Sequence, residues 1–317
     1  MSAPLRLGTR ASALATTQSG MVARALEAAL NRPVELVEIT TEGDVNLAPM
    51  ANLSGTGVFV SALRTALLAD EVDVVVHSLK DLPTAPFPGV ALAAVPQRED
   101  PRDVVVSAVP LRDLAAGSRV GTGSPRRAAQ IAALGYPIEI VGLRGNVDTR
   151  IGKVRSGALD AIVLAAAGIS RLDRLDEVTE FLDPSVVLPA PGQGALAVEC
   201  READPLADQV AAALDDATTR TCVTAERWVL AMLEAGCSAP VGAYATVTDG
   251  VIELSAAVAS LDGSRILREQ QTGSDPQALA RSVADVLLGA GAADLVAACS
   301  SPEVARVEPS VEMSESS

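Results

Sequence analysis

Val74-Val75-Val76-His77-Ser78-Leu79-Lys80-Asp81-Leu82-Pro83-Thr84 is the stretch on which the fold turns. An unbroken β-branched run passes straight into a polar cluster and is stopped by proline. Continuous apolar runs of this length are strands buried on both faces, the pattern of parallel sheets rather than of half-solvated antiparallel ones. Polar side chains just past the carboxyl end of such a strand stand where open α/β sheets bind ligands. His77 is the only histidine, and Lys80 and Lys153 are the only lysines, in a chain rich in arginine. His77 reads as a structural histidine. Lys80 and Asp81 read either as a solvated turn pair or as functional groups at a strand end, and the motif alone leaves both open.

Outward from this strand, the pattern repeats. Leu5 to Gly8 predicts a strand, Thr9 to about Leu30 a helix that opens at Thr9-Arg10-Ala11-Ser12, and Val34 to Thr40 a second strand. A long Gly/Asn/Ser/Thr-rich loop, 41–56, precedes a helix over Phe59–Asp70. A second series of the same kind starts near Asp100. It has strands at Asp103–Ser107, Arg119–Gly121, Ile138–Gly142 and Ala161–Leu164. Its helices lie at Leu111–Ala116, Ser124–Leu134 and Asn146–Ser156, with a last one running to Leu172. Strands alternating with helices imply mostly parallel sheets. Pro189-Ala190-Pro191-Gly192-Gln193-Gly194 is a turn-rich crossing segment, after which strand Ala195–Cys200 and helix Leu206–Leu214 return to the first series. From Thr218 a long helix reaches Ala235 with Gly236 as its C′ residue. Three strands joined at Asp249-Gly250 and Asp262-Gly263 follow, then a helix capped by Asp275-Pro276. The expectation is an α/β protein of two lobes plus a smaller α+β C-terminal domain. Residues 1–98 and 195–215 form lobe 1, 99–194 lobe 2, 216–300 the third domain, and 301–317 a disordered tail of Ser, Glu, Pro and Val.

Composition narrows the function. Only 2% of the 317 residues are aromatic while 49% are hydrophobic, so the cores are built from Ala, Val and Leu. A net charge of −15 argues against nucleic acid as a partner, because that needs a basic footprint. Cys200, Cys222, Cys237 and Cys299 show no CxxC spacing and have one histidine to join them, which argues against zinc. The N-terminus lacks a signal-peptide pattern and no run is suited to span a bilayer, so a reducing cytoplasm and no membrane are expected. Three strand-to-helix junctions carry arginine in the first helical turn: Arg10, Arg126 with Arg127, and Arg150. A helix start disfavours cations, so a bound anion is expected there; the guanidinium fork suits carboxylates and phosphates, and the missing P-loop weakens the phosphate version. The alternative is that Arg127 and Arg150 face water. Cys237, just past a helix C-terminus, has no local feature that lowers its pKa and by spacing alone is a buried structural cysteine.

Six segments taken together resemble the porphobilinogen deaminase family. They are Leu7-Gly8-Thr9-Arg10-Ala11-Ser12, His77 to Thr84, Gly121-Thr122-Gly123-Ser124-Pro125-Arg126-Arg127, Leu143-Arg144-Gly145-Asn146-Val147-Asp148-Thr149-Arg150, Pro191-Gly192-Gln193-Gly194-Ala195 and Gly236-Cys237-Ser238-Ala239-Pro240-Val241-Gly242. Each alone is weak; all six occur in the family's order. The resemblance implies a cytoplasmic, monomeric three-domain transferase of tetrapyrrole and heme biosynthesis, with lobes similar to those of periplasmic binding proteins. It implies head-to-tail polymerisation of four porphobilinogen molecules to hydroxymethylbilane with release of ammonia. The primer is a dipyrromethane cofactor, held by a thioether to a cysteine that matches Cys237. By the same resemblance Asp81 is the catalytic carboxylate. Lys80, Arg126, Arg127, Arg150, Ser78, Thr122 and Ser124 match cofactor-binding positions, and Arg10, Ser12, Arg144 and, more loosely, Arg171 match substrate-binding ones. Acid assistance to loss of ammonia would give an electrophilic azafulvene, and a base would then remove the α-proton. Two departures stand out: Thr56 replaces a lysine that the family commonly has, and Gly123 and Pro125 replace its more usual residues. Arg126 and Arg127 are expected to act as surface cations whose replacement by Leu impairs function and leaves stability nearly intact. Two other readings fit parts of the chain. A two-lobed anion-binding protein without catalysis leaves Cys237 and the third domain unexplained. A phosphate-transferring enzyme lacks a P-loop.

Overall fold

The computed structural model describes residues 3–39, 58–236 and 239–299. Cys237, the Thr56 departure and the tail from Ser301 lie outside them. Two five-stranded sheets and one three-stranded sheet organise the described chain.

The first sheet contains β1 (Leu5–Thr9), β2 (Val34–Glu38), β3 (Val74–Ser78), β4 (Val90–Ala94) and β10 (Leu196–Arg201), in the order β2-β1-β3-β10-β4. β1 runs parallel to β2 and to β3, whereas β10 is antiparallel to both β3 and β4. The valine run is buried on both sides for a visible reason. Val74 and Val76 pack with Leu26 of α1 (Ala13–Leu30) and Val210 of α6 (Leu206–Leu214). Val75 points the other way, against Leu63 and Leu67 of α2 (Val58–Leu68). Successive strand residues face opposite layers, and helices cover both. The strand is thus as buried as expected, although one of its neighbours is antiparallel.

The second sheet contains β5 (Asp103–Ser107), β6 (Arg119–Thr122), β7 (Glu139–Gly142), β8 (Ala161–Ala165) and β9 (Glu180–Phe181), ordered β7-β6-β8-β5-β9. It has the plan of the first sheet: parallel steps β6–β7 and β6–β8, then antiparallel β5. In each sheet the antiparallel strand is the one that enters from the crossing segments. The helices are α3 (Pro125–Ala132), α4 (Val147–Arg155) and α5 (Ala166–Arg171).

The third sheet, β11 (Val241–Thr248), β12 (Val251–Ala259) and β13 (Ile266–Gly273), is an antiparallel meander. Asp249 and Gly250 both have positive φ, 52° and 78°, as the tight two-residue hairpin requires. α7 (Ala217–Met232), α8 (Pro276–Gly289) and α9 (Ala292–Cys299) pack on it. Among the described residues no single helix is long and apolar enough to cross a membrane. One bent pair, α8 with α9, reaches that length, and it packs against the C-terminal sheet.

Several boundaries differ from expectation. α7 stops at Met232: the Ala235 N–H closes on the Leu230 carbonyl, and the left-handed residue is Glu234 (φ 50°), not Gly236. Leu111–Ala116 is only a 3-10 turn over Leu111–Asp113. β4, the two-residue β9 and α9 carry too little pattern of their own to be read from sequence.

Two strands of chain join the lobes, around residues 95–102 and 188–195. They are pressed together: Gly194 has φ +88°, and a Cβ there would lie 2.4 Å from the Glu99 carbonyl oxygen. Glu226 of α7 locks this joint. Its fully buried carboxylate accepts from Arg98 Nη1 (2.6 Å) and Nη2 (3.0 Å), from the Gly192 N–H (2.7 Å) and from the Ala245 N–H (2.9 Å). One side chain therefore ties both crossing segments to the third sheet.

Candidate functional site

β3 ends in a 3-10 turn, Leu79–Asp81, which lifts Lys80 and Asp81 off the sheet edge. Leu79 and Leu82 are buried beneath it with Val60, Ala195 and Val223. Lys80 is half-buried and Asp81 is exposed. Burial is the main influence on the Lys80 ammonium and lowers its pKa to about 8. Asp81 raises it, Arg127 lowers it, Asp103 raises it and Arg126 lowers it. The first lobe's lysine is therefore within electrostatic reach of the second lobe's arginine pair.

That pair starts α3. Ser124 is the N-cap, its Oγ accepting the Arg127 N–H at 3.4 Å, and Pro125 is in the first turn. Contrary to the surface placement expected from sequence, Arg126 and Arg127 are 4% and 6% exposed. Both meet Asp103, the buried first residue of β5. Arg127 donates to Asp103 Oδ1 from Nε (3.0 Å) and Nη2 (2.8 Å), and Arg126 Nη1 is 2.8 Å from Oδ2. Arg127 also donates to the Val163 carbonyl and to Gln193 Oε1, and Arg126 to the Leu188 carbonyl. Gln193 Nε2 adds a further 2.8 Å bond to Asp103 Oδ1. The two guanidinium groups hold the Asp103 carboxyl well below the usual range despite its burial. The anion demanded by cations at this helix start is thus partly the protein's own. One carboxylate still cannot neutralise two arginines and a lysine.

Arg150 and Arg144 extend the positive cluster. Asn146 caps α4, and Arg150, one turn in, is half-buried and donates Nε to the Gly145 carbonyl at 2.7 Å. Burial lowers its pKa first, then Arg127 and the exposed Arg144. Thr122 is buried, with Oγ1 accepting the Ser124 N–H. Ser78 exchanges hydrogen bonds with Gln18 of α1. Ser12 caps α1, so Arg10 lies two residues before the cap rather than in the first turn as expected from sequence. A capping serine accepts through Oγ and keeps its O–H to donate, so Ser12 and Ser124 retain a donor. Arg171 donates Nη2 to the Gly194 carbonyl at 2.6 Å, and its buried Nε has no hydrogen-bond partner. It lies beside the crossing segments, and no contact joins it to the Asp103 group.

The structure therefore brings Lys80, Arg126, Arg127, Arg144 and Arg150 into one field. It places Arg10, Ser12 and Ser78 along β1, β3 and the start of α1. Asp103, Gln193, Glu226 and Arg98 were missed from sequence. Two had a readable signal: Asp103 is a charge opening a run of three valines, and Glu226 is a carboxylate on the α7 stripe of Cys222, Val223 and Val229. The donor set suits a ligand bearing several carboxylates, because the excess charge is positive and, at Lys80, Arg126, Arg127 and Arg150, partly or wholly desolvated. Among the described residues, no group of His, Cys, Asp or Glu is arranged to hold a metal ion.

The lowered Lys80 pKa has a consequence for pH. Only the protonated amine pairs well with a carboxylate, so the hold of this site on a carboxylate ligand should weaken as pH rises through about 8. Lys80→Arg, which stays charged, should flatten that loss, as turnover followed between pH 7 and 9.5 would show. Stability should respond the other way. The unfolded chain binds the extra proton between about 8 and the ordinary lysine value, so the folded state gains stability as pH rises across that window.

Residues 5–209 match the family model described as porphobilinogen deaminase, dipyromethane cofactor binding domain, and residues 220–289 match the porphobilinogen deaminase C-terminal domain. Porphobilinogen deaminase 1 of Streptomyces coelicolor is 56% identical over 309 residues, covering 92% of this chain and 97% of its own. The porphobilinogen deaminase of Thermobifida fusca is 54% identical over 93% and 96%, and that of Mycobacterium tuberculosis 55% over 92% and 98%. Among solved structures, a periplasmic substrate-binding protein of an ABC transporter from Coxiella burnetii covers 68% of this chain and 94% of its own. It does so at 14% identity and a TM-score of 0.42. Two matches spanning both lobes and the third domain, with relatives this similar along nearly the whole length, establish that the chain belongs to the porphobilinogen deaminase family.

Proposed function

We propose that the turn after β3 is the catalytic centre, with Asp81 as its carboxylate. The chain is a transferase that polymerises four porphobilinogen molecules head to tail, releasing ammonia, to give hydroxymethylbilane from a dipyrromethane primer. The observation that carries the residue assignment is the convergence of Lys80, Arg126, Arg127 and Arg150 beside an exposed Asp81. Pyrroles with acetate and propionate arms bring carboxylates, and this field stabilises them.

In this reading Lys80, Arg126, Arg127 and Arg150 would hold the carboxylates of the dipyrromethane, with Thr122 and Ser124 donating hydroxyl hydrogens and Ser78 doing so on turning its hydroxyl from Gln18. Arg10, Ser12, Arg144 and Arg171 receive those of the incoming porphobilinogen. When bound, the dipyrromethane supplies the free pyrrole carbon to which the first unit is joined. Asp81 stabilises the positive charge that develops on the substrate ring as ammonia leaves, and accepts the ring proton released when the new bond has formed. Its exposure lets it exchange that proton with water between additions. Arg127 makes four side-chain hydrogen bonds inside the protein, so its contribution is mainly charge, whereas Arg126 has more of its fork to offer.

The thioether anchor is assigned to Cys237 by its family motif. Support comes from the other thiols. Burial pushes Cys200 up to about 12 and Cys222 up to about 11, and it also raises Cys299, so none of them offers a ready thiolate. The intact mass should exceed the sequence mass by two linked pyrrole units. The excess should map to the peptide bearing Cys237 and vanish in Cys237→Ser. An unmodified, fully active protein would sink this assignment, and a modified Cys200 or Cys222 peptide would move it. We further place the protein in the cytoplasm as a monomer acting on a small molecule, without nucleic-acid or membrane partners. The net charge of −15 supports the exclusion of polyanions.

A further inference from the structure

The turn that carries Lys80 and Asp81 is gripped from the third domain by one side chain. Arg227 of α7 donates Nη1 to the carbonyls of Leu79 (3.1 Å) and Leu82 (2.8 Å), and Nη2 to the carbonyl of Pro83 (2.8 Å). The same helix presses on the turn one step earlier: Val223 is buried with Leu79 and Leu82. The adjacent residue, Glu226, is the carboxylate that ties α7 to the crossing segments and to β11. Within its own lobe the turn rests on Leu79 and Leu82, buried against Val60, Val95, Ala195 and Ala197. Leu79 N–H bonds the Ala195 carbonyl and Leu82 N–H the Leu79 carbonyl, while Asp81 itself projects into solvent.

We infer that Arg227 is a positioning residue. It fixes the Leu79–Pro83 turn, and with it the Asp81 carboxylate, relative to α7, the helix that leads toward residue 237. Three carbonyl dipoles aimed at one cation form a helix C-terminus in miniature, the place where positive charge is stabilised. A planar fork reaching successive carbonyls fixes orientation as well as distance, which a lysine ammonium does less well. The domain in which the growing chain is anchored and the turn that carries the carboxylate are thereby held in one frame. Sub-ångström precision matters here, because displacement of a catalytic group by about 1 Å costs up to roughly a hundredfold in rate.

This inference rests on the reading of Asp81 as the catalytic carboxylate, and the test separates the two. Holoenzymes of Arg227→Gln, Arg227→Lys, Asp81→Asn and the double variant Asp81→Asn/Arg227→Gln are compared at matched cofactor content by intact mass. In Arg227→Gln, kcat should fall roughly ten- to a hundredfold with KM for porphobilinogen within about twofold. Amide exchange of the peptide containing Leu79 to Pro83 should accelerate, and Arg227→Lys should recover part of both. In the Asp81→Asn background the same Arg227→Gln change should cost no more than about twofold, because a carboxylate that is gone cannot be misplaced. A full additional loss in that background would make Arg227 a general structural residue and overturn the inference. So would wild-type kcat in Arg227→Gln beside a collapsed Asp81→Asn, or failure of both Arg227 variants to fold as holoenzyme. Wild-type turnover in Asp81→Asn would overturn the reading of Asp81 and this inference with it.

Discussion

Asp81→Asn should fold, carry its dipyrromethane and turn over porphobilinogen about a hundred- to ten-thousand-fold more slowly than the parent, the usual contribution of an acid/base group. Folding should survive because the side chain is exposed, and the turn is held by the buried Leu79 and Leu82 and by carbonyls that Arg227 grips. The Asn variant keeps the size and loses the charge, so neither the cationic ring nor the departing proton is met. Asp81→Glu keeps the charge and shifts it by one methylene, and it should retain more activity than Asn. Product formation by the two holoenzymes at equal cofactor content measures this. Comparable rates in Asp81→Asn and the parent would leave Asp81 as a turn residue beside Lys80.

Asp103→Ala should lose about 3–5 kcal/mol of stability, since it strands two buried arginines without a counter-charge. Chemical denaturation of the variant and the parent gives the difference directly. The expectation from sequence, that Arg127→Leu leaves stability intact, does not hold once its guanidinium is placed. Removing it leaves Asp103 with Arg126 and Gln193 alone, and Arg127→Leu should destabilise as well as inactivate. The pH sign follows from the depressed Asp103 carboxyl. Its contribution is complete above the ordinary aspartate value of about 4 and disappears as pH falls through the lower folded-state value, so it sharpens acid unfolding. Asp103→Ala should flatten the acid limb; an unchanged limb with unchanged stability would mean that the arginines find other partners.

Much of this molecule is legible in the primary structure because two signals coincide. The valine run of β3 has both faces covered and so needs no polar alternation, and the proline-stopped turn after it marks where the sheet edge opens. The Ser124 and Asn146 caps similarly announce α3 and α4. What escaped depends on partners distant in sequence. Nothing near Arg126 and Arg127 says that Asp103 awaits them, so a buried ion-pair group looks like a pair of surface cations. Arg10 looked like a first-turn residue because Thr9 and Ser12 are both competent caps, and only the backbone shows which one is used. α7 was drawn too long because Gly236 is the intrinsically favoured stop, while packing placed the left-handed residue at Glu234. Lys80, by contrast, was noticeable through scarcity alone.

The antiparallel strand β10 imposes an order on the birth of the molecule. It lies between β3 and β4, with Leu196 opposite Ser78 and Arg201 opposite Val90, yet the ribosome delivers it only after the whole second sheet. Until then β3 has one partner, β1, and β4 has none in that sheet, so the nascent chain carries an open apolar edge while residues 79–195 are made. The second sheet takes its antiparallel strand β5 at the outset, before β6 to β8 are made, and can close as it emerges. The later lobe can thus be complete while the earlier one is still waiting, and chaperone demand should concentrate on the N-terminal half of the nascent chain.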